Sequence, residues 1–233
     1  MAKWTVERMT EELKSTIHDN LVCVILYGSG ASGDHTGKHS DYNLMVVTHR
    51  LKLLGLQNIS KAVVPWVKQG NPAPLFVTLE DLQGFVEVFP VEITDIKENH
   101  RVLFGEDPFT DLPVSHENLK LELEHELRGK VLQLKTQFMM TEGKPKKVEQ
   151  LLIRSLSTFL VLFKTALWLF NVKPPVRKME ALKRLQEMAP FDIEVFQIVD
   201  RLKRGEKIKG LDVLQTFEKY LESIENIIGK MNQ

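Results

Sequence analysis

Apolar and polar positions divide the chain into two halves of different periodicity. In the first half, short apolar or alternating runs are separated by helical stretches and turn residues. These runs are Leu21-Val22-Cys23-Val24-Ile25-Leu26-Tyr27, Tyr42-Asn43-Leu44-Met45-Val46-Val47, Leu75-Phe76-Val77-Thr78 and Val91-Glu92-Ile93, the pattern of β-strands. Thr5 to His18 reads as a helix leading into the first run. Thr78-Leu79-Glu80-Asp81 has the form of a capping box, with Asp81 in place of the usual Glu or Gln, and opens a helix through about Val88. Leu51 to Gln69 reads as helical with an interruption near Val64-Pro65. The second half shows no strand pattern and reads as five helices. Ser115 caps the first, whose stripe is Leu119, Leu123, Leu127, Leu134 and Phe138. Pro145 stands at the first position of the second, which runs to about Phe170 and is stopped by Lys173-Pro174-Pro175. A third spans about Val176 to Met188 and a fourth about Asp192 to Lys203. The last carries Leu214, Phe217, Leu221, Ile224 and Ile228 on one face. Short connections predict an antiparallel bundle.

The expected fold is therefore α+β: a small mixed sheet with helices over residues 1–112, then an all-α bundle over 113–233, with Gly105 to Pro113 as the linker. Charge changes at the same place. Residues 1–114 hold 10 basic and 15 acidic side chains, net −5; residues 115–233 hold 21 and 16, net +5. The whole chain is neutral, which excludes a bulk polybasic nucleic-acid binder and an acidic-tail protein. Its one cysteine, Cys23, excludes an internal disulfide framework or a cysteine zinc site, and its place in an apolar strand reads as packing. The first residues carry charges and no apolar run, so the expected location is cytoplasmic. Leu151 to Phe170 is long and apolar enough to span a bilayer. Arg154 and Lys164 inside it would each cost roughly 2.5–3.5 kcal/mol near a bilayer centre. The expectation is a central bundle helix and no membrane.

The chemistry concentrates between Leu26 and Leu44. A hydrophobic strand runs into Gly28-Ser29, and eleven residues later Ser40-Asp41 leads into a second strand. Gly28 permits a tight turn and close approach to a phosphate; Ser29 adds a hydroxyl and an amide donor. Asp41 and residue 43 lie two apart on a strand, so both point to one face. Two carboxylates so placed can hold a pair of Mg²⁺ ions for in-line phosphoryl displacement. The strand, the Gly-Ser turn, the spacer and the acidic pair on the next strand resemble the nucleotidyltransferase superfamily that includes DNA polymerase β and kanamycin nucleotidyltransferase. Gly70 to Phe76, Phe89 to Glu92, Val102 to Asp107 and Leu123 to Lys130 extend the resemblance to a two-domain prokaryotic group of that superfamily with Asp-x-Asn in place of Asp-x-Asp.

The resemblance implies transfer of a nucleoside monophosphate from an NTP, with Mg²⁺ (or Mn²⁺), to an acceptor that the sequence leaves open. Gly28, Ser29, Ser40 and Asn43 would bind nucleotide, Asp41, Asn43 and Glu92 the metal, and Asp41 and Glu92 would be the catalytic pair. Glu92 is the third carboxylate, read as pointing away from a core face formed by Val91 and Ile93; Asp95 is the alternative. Position 43 departs from the pattern, because Asn43 offers a neutral carbonyl where the superfamily has Asp or Glu. Hence a second reading stands beside the enzyme: a catalytically degenerate protein of the same fold that binds a nucleotide or a partner. A third is a structural interaction module. His35 and His39 read as loop histidines, Trp66 and Trp168 as core. The basic runs Lys173 to Arg184 and Arg201 to Lys209 read first as solvated helix faces. Their functional alternatives are a surface for an anionic acceptor or partner, or pairing of the +5 half with the −5 half in a homo-oligomer. His125 is the last histidine, so the bundle beyond it carries no Arg-x4–6-His ribonuclease motif.

Overall fold

The computed structural model describes residues 4–31, 42–175 and 177–231. It divides into two compact units, Met1–Ser115 and His116–Gln233.

The first unit is built on a four-stranded sheet in the order β3-β2-β1-β4. Its strands are β1 (Leu21–Tyr27), β2 (Asn43–Thr48), β3 (Leu75–Thr78) and β4 (His100–Phe104). β1 runs antiparallel to β2 and to β4, and β2 runs parallel to β3. A parallel pair needs a crossover, and α2 (Leu53–Val67) supplies it. The central strands are apolar on both faces because both faces are covered. On one side Val24, Leu26, Leu44 and Val46 pack with α1 (Val6–Ile17) and α2; on the other Cys23, Ile25, Met45, Val47 and Val77 pack with α3 (Leu79–Val88) and α4 (Pro90–Glu98). Thr5 caps α1 by accepting the Arg8 N–H. Thr78 and Asp81 close the capping box of α3 in both directions, so the shorter Asp81 side chain suffices.

Three expectations are corrected here. Val91-Glu92-Ile93 is not a strand but part of α4. Pro90 sits at its first position, and Pro90, Val91, Ile93, Thr94 and Ile96 are buried at helical spacing. The alternation of Val91 and Ile93 coincides with a helical pattern whose next member is Ile96. Second, α2 is not interrupted at Pro65. Pro65 lies in the last turn, so the bond its missing N–H forfeits is lost at the helix end rather than in mid-span, and Ile59, Ala62 and Trp66 anchor the helix on both sides of it. Third, β4 is a strand that the pattern reading did not anticipate.

Among the described residues the second unit has five α-helices: α5 (His116–Met139), α6 (Pro145–Ala166), α7 (Lys178–Gln186), α8 (Ile193–Lys203) and α9 (Val213–Met231). A 3₁₀ turn, Leu167–Phe170, continues α6. α6 packs against each of the other four. That explains its broad apolar face, with Val148, Leu152, Leu156, Phe159 and Phe163 buried at successive turns. Pro145–Phe170 is long and apolar enough to cross a membrane by length and composition, and 56% of its most apolar window is buried inside the unit. Phe159, Phe163, Phe196 and Tyr220 meet edge to face or tilted at its centre. Each such buried ring contributes roughly 1.5–3 kcal/mol through apolar burial.

Candidate functional site

β1 ends in the 3₁₀ turn Gly28–Gly30. Gly28 has φ +72°, a left-handed conformation that a side chain disfavours. The turn is held from two directions. The Gly28 N–H donates to the Asn99 carbonyl at 3.0 Å, and the Ala31 N–H donates back to the Gly28 carbonyl at 3.0 Å. Asn99 caps the C-terminal end of α4, so α4 ends against the turn.

Pairing across the sheet sets Asn43, Tyr27 and His100 in one row, since Tyr27 lies opposite Asn43 on β2 and opposite His100 on β4. Paired residues share a face, and Tyr27 packs with Cys23, Ile25, Met45 and Val47 on the α3–α4 side. Asn43 is half-buried. A Cβ placed on Gly28 would lie 3.4 Å from its Nδ2, ordinary contact distance, so the two residues adjoin and the positive φ, not space, is what favours glycine there. The Asn43 side chain makes no hydrogen bond among the described residues. Its neighbour Tyr42 is anchored instead, its N–H donating to Asn71 Oδ1 at 3.3 Å and its ring 6.3 Å from the buried Trp66. Trp66 is core, as expected, and donates its indole N–H to the Pro72 carbonyl.

His100 was not among the candidates, although it stands in the row. Its Nδ1 donates to the Lys97 carbonyl at 2.9 Å, and its Nε2 lies 3.2 Å from Asp107 Oδ2. Asp107 also accepts the Phe109 N–H at 2.9 Å, and the His100 ring meets Phe109 edge to face at 5.1 Å. The sequence signal was the run His100-Arg101-Val102-Leu103-Phe104 ending in Gly105. At Gly105 an added Cβ would lie 2.1 Å from the Val22 carbonyl oxygen, so a glycine is required where β4 meets β1. Burial pushes the Tyr27 hydroxyl up from its usual range, so it stays protonated. Burial also pushes the Cys23 thiol up to about 11, with the Asp107 charge adding to the effect. Cys23 is fully buried, a packing residue rather than a nucleophile.

The remaining expected residues fall elsewhere. Ser40 and Asp41, like His35 and His39, lie outside the described residues. Ser29 is within the Gly28–Gly30 turn. Glu92 is exposed near the start of α4, seven residues and about 10 Å of helix rise before Asn99. Its expected position on a strand face beside Asn43 is thus corrected. Asp95, the alternative, is one turn from Asn99, and its Oδ1 accepts from Asn99 Nδ2 at 3.3 Å.

A protein-borne pair of Mg²⁺ ions needs several charged oxygens on one face. Among the described residues, Asn43 brings only a neutral carbonyl. β3 (Leu-Phe-Val-Thr) and β4 (His-Arg-Val-Leu-Phe) bring no carboxylate. No group of three His, Cys, Asp or Glu converges among the described residues. These donors do not fit such a pair of ions. The basic run on α8 is laced with ion pairs, Arg201 to Glu206 at 2.8 Å and Arg204 to Asp200, which is the solvated-face pattern.

No family profile and no curated protein matches the chain. Among solved structures, the chain is similar to spectinomycin adenyltransferase AAD(9) from Enterococcus faecialis, described with ATP and spectinomycin. The TM-score is 0.55, the identity 12%, and the likeness covers 96% of each chain. At that identity the likeness speaks for architecture, and it agrees with the mixed sheet and the helical unit: over nearly its whole length this chain shares the fold of that adenyltransferase.

Proposed function

We propose that this chain is a nucleotidyltransferase-like protein that binds a nucleoside triphosphate at the Gly28–Gly30 turn, with transfer of the nucleoside monophosphate crippled at residue 43. One observation carries the reading. Asn43 sits beside the left-handed Gly28 with its amide making no hydrogen bond among the described residues, at the place where the resemblance implies a metal-binding carboxylate. Gly28 and Ser29 approach the phosphates, and Ser40 and Asp41, which precede β2 in the sequence, complete the proposed site. Asp41 would supply the one protein carboxylate toward a Mg²⁺ carried in on the nucleotide, which would neutralise phosphate charge there. Glu92 has no part in this reading.

The test is calorimetric titration of the pure protein with ATP, with and without Mg²⁺ or Mn²⁺. Weak binding that depends on the metal and vanishes in Asp41→Ala is expected. Unchanged affinity in that variant puts the site elsewhere, and no binding at all leaves a structural module. A second reading, an active magnesium-dependent transferase, is favoured by the 96% mutual coverage with a protein named as an adenyltransferase. It predicts pyrophosphate release once the right acceptor is added. The +5 charge of the helical half argues for an anionic or neutral acceptor over a polycation. Adenylylation of spectinomycin or kanamycin by this chain would refute that charge argument.

A further inference from the structure

A groove of about 590 Å³ opens between α5 and α6, within the helical unit. Lys130, Gln133 and Gln137 line it from α5; Lys147, Gln150 and Arg154 line it from α6. Among the described residues no Asp or Glu lines it. Lys147 and Arg154 are two turns apart on one face, about 10.5 Å of helix rise, and Lys130 faces them from the neighbouring helix. Lys130 and Lys147 have loose ion pairs, to Glu126 at 3.8 Å and to Glu142 at 3.6 Å. Arg154 is exposed and has no ion pair among the described residues. It is one of the two charges that set α6 apart from a membrane span.

The end of α6 adds a second, independent observation. Its first turn holds no acidic residue, no side chain caps it, and Lys144, Lys146 and Lys147 cluster there. A helix N-terminus is already positive, so three lysines at that end repel it and each other unless an anion sits among them. Among the described residues Glu142 is the carboxylate that pairs there, with Lys144 and Lys147, and it offsets part of that repulsion. Long basic side chains from positions two turns apart and from the neighbouring helix can converge on a ligand with more than one anionic group, and the three glutamine amides present donors and acceptors to hydroxyls or a base. The one aromatic ring at the groove, Phe159, is buried, so there is no platform on which successive bases of a nucleic-acid strand could stack. The cavity volume is that of a small-molecule site.

We propose that the α5–α6 groove binds a small organic polyphosphate of nucleoside-diphosphate size, through Lys130, Lys147 and Arg154. This site does not depend on the reading of the Gly28 turn. The full chain carries a methionine reporter in each place: Met140 lines the groove, and Met45 lies two residues from Asn43 on the same strand face. The experiment labels methionine methyls with ¹³C, assigns them by Met140→Leu and Met45→Leu, and titrates ADP in excess EDTA. ADP is expected to shift Met140 and not Met45, with affinity falling as salt rises. Lys147→Gln with Arg154→Gln should weaken binding by roughly tenfold or more, while Arg201→Gln, outside the groove, should leave it unchanged. Both groove positions are exposed, and an unchanged melting temperature confirms that the double variant is folded. No Met140 shift at millimolar ADP, or equal affinity in the folded double variant, overturns the proposal. So does a single-stranded oligoribonucleotide that shifts Met140 at lower concentration than ADP. A Met45 shift with Mg–ATP reports separately on the Gly28 site.

Discussion

Asn43→Asp restores the carboxylate that the resemblance implies at the start of β2, and the structure fixes what it should cost. The two side chains are nearly isosteric. The Asn43 side chain makes no hydrogen bond among the described residues, so none is lost there, and its half-buried position leaves the new charge in touch with water. Without ligand the variant should therefore melt within about 0.5 kcal/mol of the parent. With Mg–ATP the added oxygen should tighten binding by at least roughly 10–100-fold, the scale on which even outer-shell metal partners act. Suppose ATP is supplied at about a hundred times the variant's Kd. Linkage then adds about 2.7 kcal/mol to the variant, and about 0.4–1.4 kcal/mol to a parent that binds 10–100-fold more weakly. At roughly 2–4 °C per kcal/mol for a chain of this size, the variant should gain about 5–11 °C and the parent about 1–6 °C. Melting curves with and without Mg²⁺ and ATP, run beside a pyrophosphate-release assay, make the comparison. A variant that melts about 1–3 kcal/mol lower and ignores Mg–ATP would refute the reasoning. It would mean that the Asn43 NH₂ holds the scaffold through a bond outside the described residues.

Gly105→Ala should be among the most damaging single changes in the sheet unit. It combines φ +80° with a Cβ 2.1 Å from the Val22 carbonyl, while Gly70→Ala, at φ +96° with nothing within 4 Å, carries only the backbone cost. Urea melts should show a loss above about 3 kcal/mol for the first and about 1–2 kcal/mol for the second; equal losses would contradict the close approach. Cys23 should resist a thiol reagent at pH 8 in the native protein and react fully in denaturant. Its thiol, raised from 9.0 to about 11, keeps its proton in the folded state while the unfolded chain loses it. This contribution to stability is therefore whole below pH 9 and falls away as pH rises from about 9 to about 11. Rapid native labelling would show that the strand is not covered. Tyr220→Phe removes the bond that Ser155 donates to its hydroxyl at 3.2 Å, deep in the helical unit, and should cost about 0.5–1.5 kcal/mol by chemical denaturation.

Local chemistry made much of this protein legible. The period of the apolar residues determined both fold layers, because a central strand covered on two faces and a helix with one buried stripe leave different traces. Thr78 with Asp81 and Pro145 marked helix starts, since those positions answer to backbone donors a few residues away. The spacing from Gly28 to Asn43 identified the turn and the next strand, and the structure sets those two residues side by side. What the sequence could not decide was pairing between distant segments. Val91-Glu92-Ile93 satisfies a strand and a helix equally over three residues; Pro90 before it and Ile96 after it, packed with Ile93 against the sheet, chose the helix and carried Glu92 away from Asn43. His100 entered the row beside Tyr27 only through antiparallel pairing with a strand more than seventy residues earlier, a register that Gly105 permits by its missing Cβ. The α5–α6 groove arises in the same way. Lys130, Lys147 and Arg154 are ordinary exposed residues on their own helices, and only the packing of α5 against α6 brings their charges to one cavity.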